Sequence, residues 1–253
     1  MKILISPAKK LNDQKTDCQI SSTQPAFLED SQKIINTVKS MSVLDLSNLM
    51  NISDALASLN YERFQSWRLP ITEKNGKQAL FSFQGDVYKS MDVDSFNKED
   101  LLFANENLRI LSGLYGLLRP SDLILDYRLE MGTRLQVEDA KNLYDFWKNN
   151  LTKYLLEEIH QDSCIVNLAS DEYFKVLNIK EIRSEIIHPV FQDLKNGKFK
   201  VVSFFAKKAR GSMCNFIIKN KIRSKDDLKS FQGLGYRFHK DEEGSKRLIF
   251  TRG

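Results

Sequence analysis

The chain has 253 residues, 42% hydrophobic and 10% aromatic, and its 38 basic and 33 acidic side chains give a formal net charge of +5. This composition excludes a mainly disordered protein, and the length allows a hydrophobic core that needs no disulfide or metal. The start lacks the apolar stretch of a signal peptide and no run of about 18 apolar residues occurs, so we expect a cytoplasmic protein that does not contact a membrane.

The positive charge is concentrated in one segment. Residues 195–225 contain ten lysines and arginines and no acidic residue, so the remainder of the chain, with 28 basic and 33 acidic side chains, sums to −5. A local excess of this kind attracts polyanions, and nucleic acid or a phosphorylated ligand is the usual partner. The alternative is a lysine-rich surface that contacts only water.

The N-terminal part of the chain predicts one strand followed by helices. Residues 2–6 have the pattern of a short strand. Apolar residues recur at helical spacing over residues 27–50, where Ser42 with Asp45 is typical of a capping box at the start of a second helix. A third helix is predicted over residues 53–67.

The middle of the chain contains both strand and helix patterns. Residues 79–83 predict a strand, and Asn97 with Asp100 predicts the start of a helix that continues into residues 106–111. Residues 142–159 form the clearest amphipathic helix in the chain, because their large apolar side chains fall on one face.

The C-terminal half contributes most of the predicted strands. The apolar run over residues 164–169 is too uniform for an exposed edge and predicts a strand buried on both faces. Further strands are predicted at residues 182–188, 199–205, 235–239 and 247–251. Because strands and helices intermix without strict alternation, we predict an α+β fold, a single compact domain over residues 1–253 with a central mixed sheet surrounded by helices.

Three polar clusters directly follow predicted strands, and ligands of open sheets bind beyond the carboxyl ends of strands. If two of these strands are parallel neighbours, the clusters form a basic cleft with embedded carboxylates. Alternatively they are ordinary strand-to-helix loops, with Ser170 as an N-cap. The charged and aromatic members of the clusters are Lys9 and Lys10; Asp171, Glu172 and Tyr173; and Lys207, Lys208 and Arg210.

A glycine-containing turn follows the predicted helix at residues 106–111. Gly113, Tyr115, Gly116 and Arg119 lie in a pattern that resembles a helix-hairpin-helix, in which glycines let backbone N–H groups approach a phosphate. Two residues separate the glycines instead of the usual one, so a plain turn explains them equally well.

Other charged residues are candidates for catalysis. Arg128 and Glu130 would share a strand face and form either a structural ion pair or part of an active site. Asp86 is a candidate without a defined partner. With the second polar cluster, the candidate catalytic residues are Asp86, Arg128, Glu130, Asp171, Glu172 and Tyr173.

The sequence predicts no cofactor and no metal site. It contains no Walker, GxGxxG or GxSxG pattern, and His160, His188 and His239 lack the spacing of metal ligands. The cysteines lack CxxC spacing, which is typical of buried thiols in a reducing compartment. They are Cys18, Cys164 and Cys214.

Five segments in order resemble the YaaA peroxide-stress-response family, and the resemblance extends from residue 1 to the C-terminal strand. It implies a single α+β domain with a helix-hairpin-helix-like element beside a positively charged cleft, DNA binding, and a bacterial, cytoplasmic role in limiting unincorporated iron and oxidative damage. No established reaction comes with it. The segments are residues 3–9 (ILISPAK), 85–88 (GDVY), 108–132, 167–174 (NLASDEYF) and 204–213 (FFAKKARGSM).

Two hypotheses follow, and neither requires an obligate protein partner. In the first, the protein binds duplex or distorted DNA largely without sequence specificity. In the second, the same cleft catalyses an uncharacterised reaction on an anionic or phosphorylated substrate. Direct iron sequestration is a weaker third, because the carboxylates are diffusely spaced. The residues predicted to contact nucleic acid are Lys9, Lys10, Gly113, Tyr115, Gly116, Arg119, Lys207, Lys208 and Arg210.

Overall fold

The computed structural model describes residues 1–12, 19–159, 163–242 and 244–253, so the predictions for Cys18 and His160 lie outside it. The helices are α1 (Leu28–Lys39), α2 (Val43–Met50), α3 (Asp54–Ser66), α4 (Ala79–Ser82), α5 (Asp86–Met91), α6 (Lys98–Asn107), α7 (Leu143–Glu157), α8 (Asp171–Phe174), α9 (Ser203–Lys219) and α10 (Lys225–Leu228). The strands are β1 (Lys2–Ile5), β2 (Lys10–Leu11), β3 (Lys77–Gln78), β4 (Phe83–Gln84), β5 (Leu108–Ser112), β6 (Gly116–Leu118), β7 (Leu123–Ile124), β8 (Ile165–Asn167), β9 (Ile186–Lys195), β10 (Lys198–Lys200), β11 (Arg237–Glu242) and β12 (Arg247–Arg252).

One large mixed sheet organises these elements. Its strand order is β11-β12-β9-β8-β1-β5-β6, and β10 forms a hairpin with the end of β9. The five inner strands run parallel, whereas β11 and β6 pair antiparallel at the two edges. The predicted α+β class with a central mixed sheet is therefore confirmed.

The centre of the sheet is apolar on both faces. Ile3, Leu4 and Ile5 of β1 are fully buried, as are Ile165 and Val166 of β8. Parallel strands covered by helices on both sides require such continuous apolar sequence. The buried strand predicted at residues 164–169 is confirmed, with β1 and β9 as its parallel neighbours.

Local capping signals set the starts of several helices as predicted. Ser42 and Asp45 form a reciprocal capping box at α2, and Asn97 and Asp100 form another at α6. Each box satisfies backbone N–H groups that the first helical turn leaves unpaired. None of the described helices has the length and apolar character needed to cross a membrane.

Three predicted elements were wrong. Residues 79–83 contain helix α4, and residues 108–111 belong to strand β5. Within residues 199–205, strand β10 ends at Lys200 and helix α9 begins at Ser203. Short apolar runs fit both a strand and a buried helix, and tertiary partners decide between the two.

The expected helix-hairpin-helix-like element is a β-hairpin. Strands β5 and β6 pair antiparallel, and the turn between them is buried. The Trp147 Nε1 donates a hydrogen bond of 2.9 Å to the Gly113 carbonyl. A Cβ at Gly113 would lie 2.4 Å from the Leu129 carbonyl oxygen, and Gly116 has a φ of +70°. The two glycines therefore allow close internal packing and a tight turn.

Candidate functional site

The clusters after β1 and β8 meet, because these strands are parallel neighbours. The Ser170 backbone N–H donates to the Ser6 Oγ at 2.9 Å, and the Ser6 hydroxyl donates to the Ser170 Oγ at 3.2 Å. Ser170 occupies the N-cap position of α8, but its side chain makes no capping hydrogen bond. The hydroxyls link the two loops instead.

Helix α5 lies between the carboxyl end of β1 and helix α9. The Tyr88 hydroxyl donates to the Ser6 carbonyl at 3.1 Å. A Cβ on Gly211 would lie only 2.0 Å from the Val87 carbonyl oxygen, so α9 packs very closely on α5. The third polar cluster thus adjoins the other two, although it lies within a helix rather than in a loop after a strand.

Arg128 and Glu130 form an ion pair that also includes Lys9. The Lys9 Nζ lies 2.7 Å from Glu130 Oε2, and the Arg128 Nη2 lies 3.2 Å from Glu130 Oε1. Both residues lie outside regular strands, so the expected shared strand face is wrong. The two cations neutralise the carboxylate, which favours the structural alternative.

The other candidate catalytic groups have separate environments. Glu172 Oε1 accepts a hydrogen bond of 3.1 Å from the Gly132 N–H. Tyr173 is buried, and burial raises the pKa of its phenol, so the phenol keeps its proton. Asp86 lies in the first turn of α5. Asp171 is exposed and lines a pocket.

This pocket opens where β8 ends and β9 continues past it. Its volume is about 430 Å³, within the roughly 300–1,000 Å³ typical of small-molecule sites. Asp171 contributes one carboxylate, while α9 and β12 contribute one guanidinium each. The polar residues that line it are Asn167, Asp171, His188, Arg210, Ser245 and Arg247.

Arg210 is directed into this pocket. Burial lowers the pKa of its guanidinium and the nearby Asp171 carboxylate raises it. Within the described part of the chain, Arg210 has no ion pair within 4 Å and no hydrogen bond from its side chain. A half-buried guanidinium without such partners is unfavourable unless an anion binds it.

The basic segment at residues 195–225 divides into two parts. Lys219 and Lys221 both pair with Asp100, Arg223 lies near Glu106 at 3.9 Å, and Lys225 pairs with Glu185 and Asp241. These contacts neutralise the C-terminal part. The basic residues of this segment that form no ion pair with any described residue are Lys195, Lys198, Lys200, Lys207, Lys208 and Arg210.

Exposed phenylalanines lie among these unpaired lysines. Phe199, on β10, is 42% exposed, and Phe204, in the first turn of α9, is 51% exposed. The Lys208 Nζ lies 4.4 Å from the centre of the Phe204 ring. The basic–aromatic surface, as we call it, consists of Lys195, Lys198, Phe199, Lys200, Phe204, Lys207 and Lys208.

Sequence reasoning missed the phenylalanines of this surface and most of the pocket. The alternation Lys198-Phe199-Lys200 is the signal that could have identified the surface, since a buried strand would not alternate lysine with phenylalanine. His188, Asn167 and Arg247 carried no local signal, because they come from different strands and meet only in the folded chain.

Four predicted nucleic-acid contacts lie elsewhere. Gly113, Tyr115 and Gly116 are buried in the β5–β6 turn and cannot reach a phosphate. Arg119 follows β6 at the amino ends of the parallel strands, where it lies 3.2 Å from Glu158. Lys10 is exposed on β2, whose partner strand is β4 and not a strand of the large sheet.

Comparison with known proteins finds relatives that cover the whole of this chain. The family model described as "Peroxide stress protein YaaA" matches residues 1–242. A UPF0246 protein of Saccharophagus degradans is 48% identical over 254 residues, covering 100% of this chain and 99% of that protein. A UPF0246 protein of Flavobacterium johnsoniae is 47% identical over 252 residues and covers 100% of both chains. The chain therefore belongs to the YaaA family of peroxide stress proteins.

Proposed function

We propose that the protein binds DNA as part of the peroxide stress response, largely without sequence specificity, and that the basic–aromatic surface makes the main contacts. The observation that carries this proposal is the set of unpaired lysines on β9, β10 and the first turns of α9. Lysines without carboxylate partners are free to neutralise backbone phosphates. Such contacts position a strand but read no bases.

The exposed phenylalanines extend the proposal to distorted DNA. Aromatic side chains stack on unpaired bases whatever the base, and each stacked base contributes roughly 1–3 kcal/mol. Phe199 and Phe204 are available for this role because both rings are exposed, and the Lys208 ammonium lies over the Phe204 ring. Duplex DNA would use the lysines alone, whereas a bubble or a frayed end would use both.

Charge reversal of two surface lysines tests the proposal. We expect Lys207→Glu combined with Lys208→Glu to weaken duplex binding by at least about tenfold. The slope of log K against log salt, about −0.9 per phosphate contact, should become shallower by about 1 for each lysine lost. Fluorescence anisotropy with duplex, single-stranded and bubble DNA across a salt series measures both effects.

A matched control comes from α7, which packs beside β6 at the other edge of the sheet. Lys148→Glu with Lys153→Glu makes the same change in net charge at two exposed positions. This control should keep most of the wild-type affinity. Equal losses in the two variants, or no loss in either, would contradict the proposed surface.

The catalytic alternative has less support from the geometry. Glu130, Glu172 and Tyr173 are occupied by structural contacts or buried, whereas Asp171 faces a pocket. The association with low free iron rests on the family resemblance. In the described ranges, no three histidine, cysteine or carboxylate side chains lie close enough together to hold a metal ion. The proposal of DNA binding rests on the unpaired lysines and does not depend on an iron site.

A further inference from the structure

The pocket beside β8 is a second feature of this face that DNA-backbone binding does not explain. It is recessed, and its two guanidinium groups come from different elements, Arg210 from α9 and Arg247 from β12. Neither forms an ion pair or a side-chain hydrogen bond with any residue that the structure describes. Arginine presents a planar fork of donors that matches the oxygens of a phosphate.

A hydrogen-bond chain fixes the histidine at the base of the pocket. The Ala169 N–H donates to the Asn167 Oδ1 at 3.0 Å, so the Asn167 side-chain nitrogen is turned to His188 Nδ1, 3.3 Å away. Because an amide nitrogen donates, Nδ1 accepts and the neutral imidazole carries its proton on Nε2. Burial and the nearby Arg247 lower the pKa of His188, more than Asp171 raises it.

We propose that this pocket binds a phosphate monoester of nucleotide size, with Arg210 and Arg247 holding the phosphate and Asp171 accepting a hydrogen bond from a sugar hydroxyl. A phosphate monoester carries close to two negative charges at neutral pH, which two arginines balance. The single carboxylate would repel a bare anion, but it is suited to a ligand that also carries hydroxyl groups. The volume of about 430 Å³ leaves room for a sugar and base beside the phosphate.

Two sources share this chemistry: a free nucleoside monophosphate and the 5′-phosphorylated end of a nucleic-acid strand. The end of a strand would link the pocket to the basic–aromatic surface, because Arg210 follows Lys207 and Lys208 on α9. A free nucleotide would make the pocket an independent ligand site. The test therefore includes a separate arm for each source.

Isothermal titration calorimetry of the full chain with AMP, GMP, CMP, UMP and dTMP, each against its parent nucleoside, tests the assignment. We expect at least one nucleotide to bind saturably below about 1 mM and at least tenfold more tightly than its nucleoside, which corresponds to about 1.4 kcal/mol. Arg247→Gln should reduce that affinity by at least tenfold. Arg247 is exposed, so this substitution leaves the core intact.

The source is identified with tetranucleotides that carry either a 5′-phosphate or a 5′-hydroxyl. Tighter binding of the phosphorylated tetranucleotide than of any mononucleotide indicates a strand end, and the reverse order indicates a free nucleotide. The proposal is overturned if no nucleotide binds, if inorganic phosphate binds as tightly as the nucleotides, or if Arg247→Gln has no effect. Because unphosphorylated duplex is assayed separately, loss of DNA binding and loss of nucleotide binding remain distinct results.

Discussion

Asp122 carries a buried carboxylate, and this burial shifts its pKa. Its side chain is 2% exposed, and it accepts hydrogen bonds from the Thr23 hydroxyl at 2.6 Å and the Arg119 N–H at 2.7 Å. Burial raises the pKa of Asp122 from 3.8 to about 6, although both hydrogen bonds and nearby arginines oppose the shift. The folded protein therefore holds this proton more tightly than the unfolded chain.

This residue predicts a specific pH dependence of stability. The stabilisation that the protonated Asp122 side chain gives the folded protein is complete below the unfolded pKa of 3.8 and is lost as the pH rises through about 6. The difference between the folded and unfolded pKa values corresponds to about 3 kcal/mol in free energy of unfolding. Compared with Asp122→Asn, the wild type should gain up to that amount in free energy of unfolding between pH 7 and pH 4. Urea unfolding at several pH values measures it, and parallel profiles for the two proteins would refute the prediction.

At the scale of elements, the contact between α5 and α9 depends on Gly211. We expect Gly211→Ala to destabilise the fold by at least about 2 kcal/mol, because the new methyl group would meet the Val87 backbone and force the two helices apart. This loss exceeds the gain of roughly 1 kcal/mol that alanine brings to a helix interior. Thermal and urea unfolding measure the change.

A glycine with open space around it provides the control for the Gly211 substitution. Gly197 lies in the β9–β10 turn with a φ of +71°, and no atom lies within 4 Å of the point that an alanine Cβ would occupy. Gly197→Ala should therefore cost only the backbone term, roughly 1 kcal/mol. If Gly211→Ala were no more harmful than Gly197→Ala, the helices would have room to separate, and the close-packing argument would be wrong.

At the scale of the whole molecule, the last strand is internal to the sheet. Strand β12 lies between β9 and β11, and Leu248, Ile249 and Phe250 are at most 3% exposed. Burying three such side chains contributes on the order of 5–9 kcal/mol, which is comparable to the total stability of a typical domain. The family match nevertheless ends at residue 242, before this strand.

A chain that ends at Glu242 should therefore fail to fold cooperatively. Without β12, the apolar edge of β9 is exposed and β11 has no partner in the sheet. We expect loss of soluble protein or of a cooperative unfolding transition. The triple substitution Leu248→Ala, Ile249→Ala and Phe250→Ala in the full-length chain separates lost packing from lost pairing. A soluble, cooperatively folded protein ending at Glu242 would show that β12 is dispensable.

Local signals account for the parts of the fold that were predicted correctly. The pairs Ser42–Asp45 and Asn97–Asp100 place helix starts because a capping box acts over four residues. The almost uniformly apolar sequence of β8 predicted a central strand, because a strand buried on both faces requires a nearly continuous run of apolar residues. By contrast, residues 108–111 became a strand because β1 lies alongside them, and nothing in their own sequence distinguishes that outcome from a helix.

The sequence by itself determined the α+β class, the buried central strands, the family and the excess of positive charge in residues 195–225. All of these depend on composition, short spacings or ordered motifs. Only the tertiary structure decided which cations are neutralised, since Asp100 meets Lys219 and Lys221 across more than a hundred residues. It likewise brought Asn167, His188 and Arg247 into one pocket. Burial and charge pairing depend on distances between remote segments, and those distances exist only once the sheet has formed.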